Sequence, residues 1–130
     1  MAAGMTLMTR ERRREPRAAE RLPLAIRDAS AELTTETNNL GDSGVYCTLD
    51  RFIAPMSKLE LRFELPNKKG HRPIPLRCAG VVVRVEPVIS STAQQGRYHV
   101  AVLFTELAER DRAAIARFVR QRLSASSSAH

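Results

Sequence analysis

The chain has 130 residues, of which 43% are hydrophobic and 27% charged, and its net charge is +7. This composition predicts one folded domain with a single core and excludes a fully disordered chain. No apolar run reaches the ~20 residues that a membrane-spanning helix needs, and the first nine residues do not resemble a secretory signal. We therefore expect a cytoplasmic protein without a membrane span.

Arginine supplies most of the basic excess, which amounts to 21 Lys and Arg against 14 Asp and Glu. Because a guanidinium pairs with phosphate in a planar fork, this excess indicates an anionic partner: nucleic acid, a nucleotide, an acidic protein face or a membrane surface. Cys47 and Cys78 lie in alternating apolar runs without the spacing of a zinc site. They are predicted to be buried core thiols, and no metal site is expected.

No strand or helix of the core is predicted in the N-terminal region. Residues 1–9 carry no charge and are expected to be disordered, whereas Arg10 to Arg17 contains five arginines and two glutamates. Pro16 disfavours a helix at the residue before it, so residues 10–21 are predicted to form an extended, mobile arginine arm. Residues 124–130 form a polar stretch that we expect to be a disordered tail.

Apolar residues alternate with polar residues through most of residues 22–105, which predicts strands with one buried face. The predicted inward residues are Leu22, Leu24 and Ile26; Leu33, Thr35 and Thr37; Val45, Cys47 and Leu49; Leu59, Leu61, Phe63 and Leu65; and Tyr98, Val100, Val102 and Phe104.

A further strand, from about Pro75 to Val88, is unusually long. Its apolar positions change parity at Ala79 and Gly80, which is typical of a β-bulge. The inward residues are predicted to be Leu76 and Cys78 before the bulge, then Val81, Val83 and Val85. Long bulged strands curl a sheet into a barrel.

After Thr105 the apolar spacing becomes helical, and residues 106–123 are predicted to form a helix with Thr105 as its N-cap. Its apolar positions are Leu107, Ala114, Ile115, Phe118, Val119 and Leu123. The predicted fold is therefore mainly β: a six-stranded antiparallel barrel over residues 22–105, with a C-terminal helix that plugs one end or lies on the wall.

The residues do not indicate catalysis. Neither cysteine has a nearby histidine, the carboxylates alternate with apolar residues or accompany arginine, and no glycine-rich phosphate loop precedes a helix. We expect a non-enzymatic protein without a cofactor or metal.

Two short patterns suggest ligand binding, although each also has a purely structural explanation. Arg10 and Arg14, and Arg13 and Arg17, are arginines four residues apart, which suits phosphates and guanines but is common by chance. The segment from Asn39 to Gly44 predicts a turn whose glycines would let a flat ligand approach the backbone, or a hairpin without a ligand.

The order of these patterns resembles the PilZ domain family over about residues 11–123. The arginine motif is similar to Arg13–Arg17 and is followed by Leu22-Pro23-Leu24, and the Asp/Asn-x-Ser-x-x-Gly motif is similar to Asn39–Gly44. The later similar segments are Cys78–Val85, Tyr98–Thr105 and the helix with Asp111-Arg112.

The resemblance implies a bacterial receptor that binds cyclic di-GMP and relays the signal in trans to an unidentified protein partner. The implied ligand-binding residues are Arg12, Arg13, Arg14, Arg17, Asn39, Gly41, Ser43 and Gly44. Within the family, an extra arginine before the motif, here Arg12, accompanies binding of a stacked ligand dimer.

Gly41 stands where the family has serine. One lost neutral hydrogen bond costs about 0.5–1.5 kcal/mol, or roughly three- to tenfold in affinity. This departure keeps open the alternative of a nucleotide-independent adaptor for motility, pilus or exopolysaccharide machinery. A nucleic-acid-binding barrel is a third alternative, but the scarcity of aromatics and the inward parity of Phe63 and Phe104 argue against it.

Overall fold

The computed structural model describes residues 17–89 and 96–128. The predicted disordered N-terminus, residues 1–9, and arm residues 10–16 lie outside the described residues, as do residues 129 and 130 of the predicted tail. The elements are β1 (Pro23–Arg27), β2 (Glu32–Leu40), β3 (Gly44–Leu49), β4 (Lys58–Leu65), β5 (Ile74–Pro87), β6 (Tyr98–Glu106) and α1 (Glu109–Ser128).

The six strands form a closed antiparallel barrel in the order β1-β2-β3-β6-β5-β4, which confirms the predicted fold class. Strand β1 completes the closure because it pairs with β2 on one side and β4 on the other. Leu24 lies opposite Thr35 in β2 and opposite Phe63 in β4. A closed sheet leaves no unpaired strand edge.

The barrel interior is filled by the residues that alternate inward. In β4 every second residue is buried from Leu59 to Leu65, and the residues between them are exposed. The rings of Phe63 and Phe104 stack inside with centroids 6.4 Å apart. Burying a leucine or phenylalanine side chain contributes roughly 1.5–3 kcal/mol, so this core of aliphatic and phenylalanine side chains stabilises the barrel without tryptophan.

Cys47 and Cys78 are buried free thiols, as predicted. Burial raises the pKa of Cys47 to about 12, because the core disfavours a thiolate. Burial, with a smaller contribution from the carboxylate of Asp111, raises the pKa of Cys78 to about 12 as well. Both side chains are therefore packing residues.

The predicted irregularity at Ala79 and Gly80 is present, but the predicted change of facing there is wrong. Ala79 pairs with Glu106 and Gly80 with Phe104, so the extra residue, Thr105, belongs to β6. The alternation of buried and more exposed residues in β5 continues unchanged through Val82, which is fully buried. Gly80 is needed because a Cβ there would lie 2.6 Å from Val102 Cγ1.

The alternation of buried and exposed residues in β5 shifts by one residue later, at Val83. Val82 pairs with Val102 and Arg84 with Ala101, which leaves Val83 as the extra residue of a bulge. Its side chain is 50% exposed, although the alternation had predicted it inside. Val85 returns to partial burial against the core, as predicted.

Helix α1 begins at Glu109 and ends at Ser128, rather than spanning residues 106–123. Thr105 is therefore not its N-cap, because β6 continues through Glu106. The backbone N–H groups of Asp111 and Arg112 donate to the Ala108 carbonyl. The helical residues 124–128 also correct the expectation of a disordered tail over that range.

The helix closes one end of the barrel. Ile115, Phe118 and Val119 join the core, and Phe118 shares a small cleft with Leu65 and Ile74 at the β4–β5 end. Leu123, predicted to face the core, is 42% exposed. Within residues 17–89 and 96–128, no helix combines the length and apolarity needed to cross a membrane.

Candidate functional site

The segment before β1 is attached to the end of β2. The N–H of Ala18 donates to the Leu40 carbonyl at 2.7 Å, and the N–H of Leu40 donates to the Ala18 carbonyl at 2.8 Å. Ala18 itself is buried. Two backbone hydrogen bonds and a small buried side chain therefore hold the chain at Ala18, within the predicted arm.

Thr37 adds a second attachment three residues before Leu40 on the same strand. Its hydroxyl accepts a hydrogen bond from the N–H of Leu22 at 3.0 Å and donates one to the carbonyl of Glu20 at 2.8 Å. The side chain is fully buried, so these partners satisfy a polar group that would otherwise be costly to bury. The segment from Arg17 to Leu22 is thus held along β2.

This attachment places the Arg17 guanidinium over the ring of Tyr46, with its central carbon 4.6 Å from the ring centroid. A cation at this distance from an aromatic face is attracted by the ring quadrupole. Tyr46 is on the outer side of β3, between the buried Val45 and Cys47. The contact therefore holds a positive charge on the outside of the barrel, at the beginning of β3.

The predicted Asn39–Gly44 turn is shorter than expected. Asn39 belongs to β2 and Gly44 to β3, so only residues 41–43 form the turn. Thr37 pairs with Cys47 and Asn39 with Tyr46, which makes Asn38 the extra residue of a bulge. This irregularity lets Thr37 and Leu40 both face inward while Asn39 lines a cleft on the outside.

The turn is fixed by backbone hydrogen bonds and by the helix. The N–H of Gly41 donates to the Gly44 carbonyl at 3.0 Å, and the N–H of Phe104 donates to the Ser43 carbonyl at 2.9 Å. Arg112 on α1 donates from Nη1 to the Asp42 carbonyl at 2.7 Å. The turn is therefore a rigid rim beside the start of β3.

Gly44 has a structural reason of its own to be glycine. A Cβ at this position would lie 2.3 Å from the Val102 carbonyl oxygen on β6. Real Cβ atoms do not come this close to backbone, so a side chain at residue 44 would force β3 and β6 apart. The close approach of two strands accounts for this glycine without a ligand.

A cleft of about 270 Å³ opens on the outer wall where these groups meet. Four of the predicted site residues line it: Arg17, Asn39, Ser43 and Gly44. Gly41 is buried and is not among the lining residues. Arg12, Arg13 and Arg14 lie outside the described residues.

Sequence reasoning missed four other side chains of this cleft. Its lining also includes Tyr46, Arg84 and the exposed side chains of Val83 and Leu103. The outward parity of Tyr46, two residues after Gly44, was an available signal. Val83 gave none, because only the pairing of β5 with β6 shows that it is the bulged residue.

The charges at the cleft are mainly positive. Arg17 lies on one side, and Arg84 on β5 lies on another with its Nε 3.6 Å from Glu86 Oε1. This ion pair is more than half exposed, so solvent screens it strongly. In the described part of the chain, no three His, Cys, Asp or Glu side chains cluster closely enough to hold a metal ion.

A larger groove of about 800 Å³ lies elsewhere on the barrel, against β1, β4 and β5. It is lined mostly by apolar and proline side chains, including Phe63 and Pro66. Its charged side chains are Arg62, which pairs with Glu32, the exposed Arg77, and Glu64. The lining of the smaller cleft has Arg17 and Arg84 and no carboxylate. Because carboxylates repel phosphate and guanidinium groups bind it, a phosphate-bearing ligand favours the smaller cleft.

The family model of the PilZ domain matches residues 11–121. The chain belongs to the PilZ domain family. The match includes both the Arg13–Arg17 segment and the Asn39–Gly44 segment. No curated protein matches this PilZ domain.

Solved structures share the fold of this PilZ domain. The Bacillus subtilis inhibitor of motility MotI/DgrA matches with a TM-score of 0.73 and 19% identity, over 85% of this chain and 50% of that chain. MrkH of K. pneumonia in its apo state matches with a TM-score of 0.68 and 13% identity, over 91% of this chain and 53% of that chain. The structure of MrkH from a P2(1) crystal matches with a TM-score of 0.67 and 12% identity, over 86% of this chain and 49% of that chain. The PilZ domain thus spans about half the length of these solved proteins.

Proposed function

We propose that this PilZ domain is a non-enzymatic receptor that binds cyclic di-GMP in the cleft beside Arg17. The observation that carries the proposal is the position of the Arg17 guanidinium, 4.6 Å from the Tyr46 ring and beside Asn39 in one cleft. Cyclic di-GMP has two phosphates and two guanines. A guanidinium can pair with a phosphate, dock on guanine O6 and N7, or stack on the purine.

The hydrogen-bonding groups of the cleft complement this cation. The side-chain amide of Asn39 offers both a donor and an acceptor, and Ser43 offers a hydroxyl. Val83 and Leu103 add exposed apolar surface on which a purine face would rest. The combination of apolar wall, amide and cation suits a nucleotide better than it suits a simple inorganic anion.

The size of the cleft suggests that it holds only part of the ligand. Its volume of about 270 Å³ is slightly below the range of ~300–1,000 Å³ usual for pockets that enclose a drug-sized ligand. Arg12, Arg13 and Arg14 precede the attached Ala18 in the chain. We propose that they supply further contacts to the phosphates and guanines, and that the occupied surface is recognised by a partner protein in trans.

Titration calorimetry with cyclic di-GMP tests the proposal. We expect micromolar or tighter binding by the wild type. Arg17→Ala is expected to weaken it at least about tenfold, because charge-assisted hydrogen bonds are lost. Asn39→Ala is expected to weaken it less. Arg77→Ala is the matched control, since it removes the same charge from an exposed position on β5 that does not line the cleft.

A flat titration with the wild type would overturn the proposal. Equal affinity for wild type and Arg17→Ala would exclude this cleft as the binding site. The nucleotide-independent adaptor has one observation in its favour, the glycine at position 41 where the family has serine. A flat titration together with capture of a specific partner would support the adaptor.

A further inference from the structure

A second cleft adjoins the one beside Arg17. Its volume is about 190 Å³, and it shares Tyr46, Arg84 and Ala101 with the first cleft. The two clefts are therefore neighbours on one outer wall, with Tyr46 and Arg84 lining both. A ligand that occupies the first cleft can extend past these side chains into the second.

The second cleft has its own polar lining, provided by Asn38, Glu86 and His99. Asn38 Nδ2 donates to Thr48 Oγ1 at 2.7 Å, and His99 Nδ1 lies 3.2 Å from the same oxygen. This chain of contacts fixes the orientation of the amide and of the imidazole. Two of these three polar side chains therefore already have hydrogen-bond partners on the barrel wall.

Arg84 and Glu86 present a donor beside an acceptor. They are two residues apart on β5, and Arg84 Nε is 3.6 Å from Glu86 Oε1. Guanine has the complementary order of groups, because its O6 accepts hydrogen bonds while the adjacent N1–H and N2–H₂ donate them. Adenine carries an amino donor in place of O6. It also lacks the N1–H and N2–H₂ groups, from which a carboxylate would accept hydrogen bonds.

We propose that the second cleft is a guanine subsite, in which Arg84 and Glu86 select guanine over adenine. The proposal rests on the proposed function, since it assigns the second purine of cyclic di-GMP. One guanine lies in the first cleft beside Arg17, and the other lies beyond Tyr46. Glu86 accepts from the N1–H and N2–H₂ of the second guanine, and Arg84 donates to its O6 or to the adjoining phosphate.

Calorimetry with cyclic di-GMP and cyclic di-AMP on matched variants tests the subsite. Arg84→Ala is expected to weaken cyclic di-GMP binding about tenfold or more. Glu86→Gln is expected to reduce the preference for cyclic di-GMP over cyclic di-AMP about tenfold, because an amide cannot accept from both guanine donors. Arg77→Ala and Glu64→Gln are the controls, since they make the same substitutions at exposed residues outside both clefts.

The outcomes separate this proposal from the one on which it rests. If the wild type binds and Arg17→Ala weakens binding, while Arg84→Ala and Glu86→Gln behave as their controls, the subsite is wrong and the proposed function stands. If the wild type does not bind cyclic di-GMP, both fail. If Glu86→Gln tightens the binding of both dinucleotides, Glu86 only neutralises Arg84, and its role in selecting guanine is rejected.

Discussion

Arg112 on the C-terminal helix donates from Nη1 to the backbone carbonyl of Asp42 at 2.7 Å, across a sequence separation of 70 residues. The contact joins the helix to the turn at residues 41–43, whose neighbour Gly44 begins β3. A second contact, between Arg122 and Glu20, joins the helix to the segment that follows Arg17. The helix therefore supports both parts of the candidate site.

We expect Arg112→Ala to lower the free energy of unfolding by about 1–3 kcal/mol, because a partly buried, charge-assisted hydrogen bond is lost. Urea denaturation measures the change. Arg110→Ala is the control, since the Arg110 side chain is 91% exposed and its loss is expected to cost less than about 0.5 kcal/mol. Equal midpoints for the two variants would show that the Arg112–Asp42 contact does not stabilise the fold.

Tyr46 is expected to position Arg17 for ligand binding. Tyr46→Phe keeps the aromatic face and is expected to bind cyclic di-GMP much as the wild type does. Tyr46→Leu removes the cation–π contact, worth about 0.5–2 kcal/mol, so we expect affinity to fall about two- to thirtyfold. Calorimetry of both variants checks this prediction. A similar loss in Tyr46→Phe would instead point to the hydroxyl.

Gly44→Ala is expected to destabilise the barrel even without ligand. The new Cβ would lie 2.3 Å from the Val102 carbonyl oxygen, and forced overpacking of this kind costs about 1–3 kcal/mol. Thermal unfolding of the ligand-free variant gives the change in stability. An unchanged midpoint would mean that β3 and β6 can separate at no cost, and would leave ligand contact as the reason for this glycine.

Gly41→Ser restores the residue that the family has at this position. If the serine hydroxyl contacts the ligand, we expect cyclic di-GMP affinity to rise about three- to tenfold. Gly41 is buried and does not line the cleft. Thermal unfolding must therefore accompany the titration. Unchanged affinity in a variant as stable as the wild type would show that the missing hydroxyl is irrelevant to binding.

The raised pKa values of the two cysteines are expected to lower the free energy of unfolding at high pH. Their pKa values rise from 9.0 to about 12 in the folded protein, so the folded state retains protons that the unfolded state releases. This contribution is complete below pH 9 and is lost as the pH rises towards 12. Cys47→Ala is expected to flatten the alkaline part of the stability profile. Rapid reaction of native thiols with dithionitrobenzoate would contradict the burial on which this depends.

Much of the barrel was predictable because the alternation of apolar residues is local. In β4 the buried residues from Leu59 to Leu65 are the ones that the sequence pattern predicted. The pattern failed in β5, where Val83 was predicted inside and is half exposed. A bulge depends on how two strands pair, and the pairing of β5 with β6 joins residues that are distant in the chain.

The amino-acid sequence alone determined the fold class, the family resemblance and the residue types offered to an anionic ligand. Charge and periodicity depend on neighbours along the chain, so they can be predicted without coordinates. Only the tertiary structure decided that Arg17 lies over Tyr46, and that Arg84 lines the same cleft. These side chains come from three separate segments. Their proximity depends on barrel closure, on two bulges and on the backbone pairing of Ala18 with Leu40.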